Sequence, residues 1–138
     1  MIGILGPDEI DAVLRRQRVG RLACSANDRP YVVPIAYAYD GSAIYGCSMP
    51  GRKVDVMREQ PLVCFEVEEV ISPVSWRCVL VEGVYEELAD GDARRTALAR
   101  LTPEGGRAVA PSHSANGQLI VFRLRPLAST GRFERHDA

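Results

Sequence analysis

Arg52 and Lys53 are the residues whose type and placement could do chemistry. They follow Ser48-Met49-Pro50-Gly51, where Pro and Gly stop one element. They directly precede Val54 to Arg58, whose spacing predicts a short helix ending before Pro61. The free N–H groups at a helix start carry partial positive charge, and two side-chain cations beside them make a site for an anion, with phosphate the natural guest. A solvated surface corner uses the same residue types, so the pair takes its meaning from its surroundings.

Two common phosphate-binding folds are excluded by the same stretch. A P-loop needs G-x-x-x-x-G-K-[ST]; from Gly46 the chain reads GCSMPGRK, with Arg52 in the lysine position and Lys53 where the magnesium-binding hydroxyl belongs. The G-x-G-x-x-G fingerprint of a Rossmann site is absent from the sequence. Catalytic side chains are scarce too. The two histidines, His113 and His136, sit in a Pro-, Gly- and Ser-rich segment and near the last residues, and neither belongs to a recognisable triad. Cys24, Cys47, Cys64 and Cys78 lack the close pairing of zinc motifs, and each lies in an apolar, strand-like run. They read as buried, reduced thiols of a cytoplasmic protein, and neither a metal site nor a side-chain catalyst is expected.

The elements that must position Arg52 and Lys53 follow from periodicity. Tyr31 to Tyr39 is β-branched and aromatic, Asp40-Gly41 is hairpin-turn chemistry, and Ala43 to Cys47 is the return strand. Pro34 cannot donate to a ladder, which puts it at an edge, at a bulge, or where something other than a strand lies alongside. Before this hairpin come a helix opened by Pro7-Asp8-Glu9 and closed by Arg15-Arg16, a strand from Val19 to Ala26, and a turn at Asn27 to Pro30. After the short helix come a strand from Pro61 to Glu68 and a loop at Val70 to Val74. A strand from Ser75 to Leu88 follows, too long to stay straight, with a bulge or bend at Gly83. A helix over Ala93 to Leu101, a loop over Thr102 to Gly117 and a strand over Gln118 to Arg125 complete the series, and Leu127 to Phe133 can pair beside that strand. Short connections imply antiparallel neighbours, and the bend at Gly83 favours closure into a small barrel.

With 138 residues, a net charge of −1 and pI near 6.1, the composition fits one globular domain and argues against a nucleic-acid partner. No apolar stretch is long enough to cross a bilayer, so no membrane partner is expected either.

The residues resemble the flavin-binding split barrels related to pyridoxamine 5′-phosphate oxidase, especially the short bacterial group that includes nitroimidazole-resistance proteins. The resemblance spans about residues 6 to 125. It is carried by the opening helix, VGRLACSANDRPYVVPIAYAYDGSAIYGCS, GRKVDVMREQPLVCFEVE and SWRCVLVEGVYEEL, in that order. It implies a mainly β fold, a six-stranded antiparallel split barrel with flanking helices. It also implies a homodimer holding two FMN molecules in clefts between protomers. By resemblance, Arg52 and Lys53 bind the FMN phosphate, Ser48, Met49 and Gly51 belong to the loop around the ribityl-phosphate, and Val33, Pro34 and Ile35 lie on the strand along the isoalloxazine ring. Trp76 stands where relatives often place an aromatic near the flavin, although a lone Trp on a strand serves a core or a dimer interface as readily.

The chain is shorter than the true oxidases, and Arg132, Arg135 and His136 do not reproduce their substrate-binding set. The activity implied is an FMN-dependent oxidoreductase acting on a small molecule. The alternatives are a non-enzymatic flavin carrier or sensor, an F420-binding barrel, and a haem-binding barrel with His113 as axial ligand.

Overall fold

The structure is a computed structural model and describes residues 1–102 and 119–136. Its element order is β1 (Ile2–Ile4), α1 (Pro7–Arg16), β2 (Val19–Ala26), β3 (Arg29–Ala36), β4 (Ala38–Tyr39), β5 (Ile44–Ser48), α2 (Arg52–Glu59), β6 (Leu62–Ser72), β7 (Ser75–Glu87), α3 (Asp92–Leu101) and β8 (Ile120–Glu134). Every pairing is antiparallel, in the order β3-β2-β6-β7-β8-β5-β4, with β1 also on β8. The two ends of that path, β3 and β4, are separated in the chain by Tyr37 alone. The sheet is therefore rolled round until its edges nearly meet, joined by covalent chain rather than by a ladder. This is the expected antiparallel split barrel, with eight strands among the described residues in place of six.

The two additional strands have separate origins. β1 is a three-residue piece before Gly6-Pro7 that pairs with Arg132 to Glu134. β4 arises because the expected strand over Tyr31 to Tyr39 divides. Its first part does not pair with Ala43 to Cys47 but with β2, through a two-residue turn whose Asn27 and Asp28 both have positive φ, the geometry that matches strand twist. At Tyr37 the chain leaves β2. Its N–H donates to the Arg18 carbonyl at 2.9 Å and its buried hydroxyl to the Leu14 carbonyl at 2.8 Å, so the chain is pinned as it crosses to the other edge. Only Ala38 and Tyr39 pair with β5. The Asp40-Gly41 turn between them forms as expected, with Gly41 at φ +95.

Other boundaries move. Strand β6 continues through Val70 and Ile71 to Ser72, so the expected loop at Val70 to Val74 shrinks to a turn at Pro73-Val74. The two C-terminal segments are one strand, β8, which begins at Ile120; the expected start at Gln118 lies outside the described residues. Pro126 does not break it because the ladder shifts register there: Gly83 faces Pro126 and Glu82 faces Ala128, leaving Leu127 as the extra residue of a bulge. The irregularity expected at Gly83 is thus present, with the surplus residue on the partner strand.

The barrel interior is filled by Leu22, Ile44, Phe65, Val67, Val79, Val81, Phe122 and Leu124. Tyr37 packs edge-on against Phe65 with ring centroids 5.0 Å apart. Helix α1 adds Ile10, Val13 and Leu14, and Arg16 fastens it to β6 through a two-pronged bond to Glu69. The ring of Phe122 abuts Gly46; a Cβ there would stand 2.6 Å from its Cζ, so β5 can approach β8 this closely only with glycine at that point.

Candidate functional site

Strand β5 alternates inward Ile44, Gly46 and Ser48 with outward Tyr45 and Cys47. It then runs into Met49-Pro50-Gly51 and directly into α2. The helix begins at Arg52 rather than Val54, which puts Arg52 and Lys53 in its first turn. The first intrahelical bond runs from the Asp55 N–H to the Gly51 carbonyl. The N–H groups of Arg52, Lys53 and Val54 therefore have no intrahelical acceptor, as at any helix start, and both side-chain cations rise from the same turn.

This helix start borders a cleft of about 450 Å³ lined by Pro34, Ile35, Ala36, Cys47, Ser48, Met49, Pro50, Gly51 and Lys53. Among the described residues its charged lining residue is the cation Lys53, and no carboxylate lines it. Ser48 is buried, with its hydroxyl on the Met49 carbonyl at 2.7 Å. Burial pushes the Cys47 thiol above its ordinary pKa, while Lys53 and Arg94 pull it the other way.

The opposite wall is the free edge of the sheet. β3 pairs with β2 on one side and lies at the end of the strand order, which is one of the three placements open to Pro34. Tyr37 bonds toward the β2 side, and alternation in an antiparallel ladder assigns Ile35, Val33 and Tyr31 to the same side. The even-numbered residues then turn their backbone groups outward. Since Pro30 and Pro34 have no N–H, that edge offers donors at Val32 and Ala36 and carbonyls along its length. Such an edge is poor at templating another strand and suited to a flat ligand with mixed donors and acceptors on its rim.

The sequence-derived residues are only partly brought together. Pro34, Ile35, Ser48, Met49, Gly51 and Lys53 share the cleft. Arg52 is exposed and lies over the ring of Tyr31. The side chain of Val33 packs against the barrel core, so its place is behind the wall. Trp76 stands at the far end of β7, in a different cavity with Phe133, Glu134 and Arg135, and its indole N–H donates to Glu134 at 3.0 Å. Within one protomer Trp76 is not at the cleft. His113 lies outside the described residues, as does most of the expected loop at Thr102 to Gly117. Cys47 was missed, with Ser48 beside it as the available signal; Ala36 and Pro50 fall within the strand and the loop that the resemblance implied. All four cysteines are free, but only Cys24 is fully buried. Among the described residues no cluster of His, Cys, Asp or Glu could hold a metal, and no helix is long and apolar enough to cross a membrane.

Comparison with known proteins agrees with this fold. Residues 6–133 match the family described as pyridoxamine 5′-phosphate oxidase. A FAD-binding protein from Mesorhizobium loti is 32% identical over 98% of this chain and 99% of its own, with a TM-score of 0.80. A 5-nitroimidazole antibiotic resistance protein from Bacteroides thetaiotaomicron shares the fold at a TM-score of 0.78, with 19% identity over 96% of this chain and 87% of its own. An uncharacterised protein of Rhizobium meliloti is 40% identical over 87 residues, 63% of this chain; the match spans 58% of that protein's length. The chain belongs to the pyridoxamine 5′-phosphate oxidase family, in its flavin-binding split-barrel form.

Proposed function

We propose that the protein is a flavin-dependent oxidoreductase acting on a small molecule, with FMN as its cofactor. The observation that carries this reading is that, among the described residues, a helix start bearing Arg52 and Lys53 and the unpaired edge of β3 border one cleft that no carboxylate lines. Lys53, Arg52 and the first N–H groups of α2 hold the phosphate; Ser48 to Gly51 wrap the polyol chain; the outward backbone groups of β3 meet the rim of the ring. Bound flavin supplies the electron transfer, so the chain needs no nucleophile or acid–base pair of its own. Its residues anchor, orient and leave one face of the cleft open.

The reading includes a second copy of the chain. The outer face of the barrel beside β3 carries Val32 (66% exposed) and Leu62 at a shallow depression of about 560 Å³ lined in part by Ala23 and Cys64, and Leu80 (45%) continues this face along β7 two residues from Glu82. That depression is larger than the cleft, but its charged group is Glu82, which would repel a phosphate. A protomer-sized apolar cover suits it better. The free cysteines favour a cytoplasmic setting.

The test is to denature purified protein and identify the released ligand by mass spectrometry. FMN supports the reading; FAD, as in the name of the Mesorhizobium loti relative, would keep the flavin and change the nucleotide. F420 or a Soret band from haem would overturn it. Turnover with a reduced nicotinamide separates an oxidoreductase from a flavin carrier.

A further inference from the structure

Helix α3 carries a cation where its packing stripe calls for an apolar residue. Ala97 and Leu101 are buried and Leu98 is half-buried, so the helix faces the barrel along positions 94, 97, 98 and 101. The side chain of Arg94 is only 20% exposed, whereas its neighbour Arg95 is 71% exposed. The carboxylate that Arg94 reaches is Asp90, at 3.5 Å and fully exposed, a weak partner for an arginine held against the barrel.

Where Arg94 sits follows from how α3 is laid against β5. Arg100, near the end of the helix, shares a cavity with Ala38 and Tyr39, the ladder partners of Tyr45 and Ile44, while the chain enters the helix from Leu88 beside Val121, so Arg94 is near enough for its charge, with that of Lys53, to pull down the pKa of the Cys47 thiol. Six helix residues advance about 9 Å and two strand residues about 6.6 Å, so α3 lies antiparallel along the outside of β5 with Arg94 at the end where β5 enters the Ser48 to Gly51 loop. The Leu88 N–H, bonded to the Val121 carbonyl at 2.8 Å, fixes this entry, and Val121 is the ladder partner of Cys47.

We propose that Arg94 is a third phosphate-binding cation of the flavin site, supplied by α3 from across β5 to the anion held by Arg52 and Lys53. The inference rests on the flavin reading given above. Its planar fork suits two phosphate oxygens, and an approaching phosphate offers it a stronger partner than Asp90.

The test is a set of binding titrations of apo-protein with FMN, FAD and riboflavin, for the parent, Arg94→Met, Arg94→Lys and Arg95→Ala. Met keeps the apolar stem, so the α3 stripe still packs; unfolding curves verify this. Expected is an FMN affinity lowered by about tenfold to a hundredfold in Arg94→Met, riboflavin within about twofold of the parent, partial recovery in Arg94→Lys, and no change in Arg95→Ala. Equal loss for FMN and FAD places Arg94 at the phosphate they share. Unchanged FMN affinity, equal loss for FMN and riboflavin, or loss confined to FAD overturns the proposal. A parent protein that binds riboflavin as tightly as FMN would instead overturn the phosphate reading of Arg52 and Lys53.

Discussion

The guanidinium of Arg52 lies over the ring of Tyr31, 5.1 Å from its centroid, tying the first residue of α2 to the free edge strand β3. A cation–π contact of this exposed kind is worth roughly 0.5–1 kcal/mol, less than the roughly 1.5–3 kcal/mol of a charge-assisted bond to phosphate. Tyr31 therefore parks Arg52 beside the cleft without competing with an arriving anion.

Replacing both Arg52 and Lys53 by Ala should weaken FMN binding by about two to four decades while leaving riboflavin binding unchanged. Calorimetric titration of apo-protein reads both. The unfolding curve of the apo-protein should hold to within roughly 0.5 kcal/mol apart from the Tyr31 contact, since these residues lie at an accessible helix start. Equal loss for both ligands would assign the pair to the fold or the ring site.

The Asp40 turn should give a pH signature. Burial opposes ionisation of Asp40, but the N–H groups of Ser42 and Ala43 and the hydroxyls of Tyr45 and Ser42 outweigh it and hold the carboxyl at about 2. Its folded pKa lies below its unfolded value, so its contribution is fully present above about pH 4 and is lost as pH falls through about 2. Asp40→Asn should cost roughly 1–2 kcal/mol in urea unfolding at pH 7 and almost nothing near pH 2. A constant difference across that range would refute the assignment.

Leu80→Arg places a charge on the outer apolar face without touching the cleft. Light scattering should then report a monomer where the parent is a dimer, and flavin occupancy should fall if both copies complete the site. Retained occupancy in a monomeric variant would show that one protomer suffices.

Cys78 should be the slowest of the thiols to alkylate. Burial, and then its bond to Glu66 at 3.3 Å, push it up to about 12. At pH 8 its reaction with iodoacetamide should run roughly two to three orders of magnitude below that of the unfolded chain. Peptide mass spectrometry over time reads the ratio, and Glu66→Gln should narrow it.

The barrel was legible in sequence because period-two alternation and Pro or Gly punctuation mark strands locally. Pro34 announced the sheet edge, and Gly83 the bulge. The division at Tyr37 was not legible, since it depends on bonds to Leu14 and Arg18 that no local pattern encodes. That the two C-terminal segments are one strand was not legible either, because the tolerance of Pro126 comes from the facing Gly83. The cleft was legible along Ser48 to Lys53, where the chain itself is contiguous. Arg94 was not, as it is one of several arginines on α3 and becomes distinct only when that helix is laid against β5. Trp76 has no local feature separating a ring contact from a Glu134 partner.

Strand β8 is the last in chain order, yet β7, β5 and β1 all pair with it. A ribosome thus delivers the barrel's central stave after every strand that leans on it. Until then β5 has β4 alone, and the β3-β2-β6-β7 sheet has its β7 edge bare. Closure joins segments far apart along the polypeptide, a topology that folds in milliseconds to seconds rather than microseconds. The nascent chain meanwhile presents an open apolar sheet, so its yield in the cell should depend on chaperone capture at that stage more than on the stability of the finished barrel.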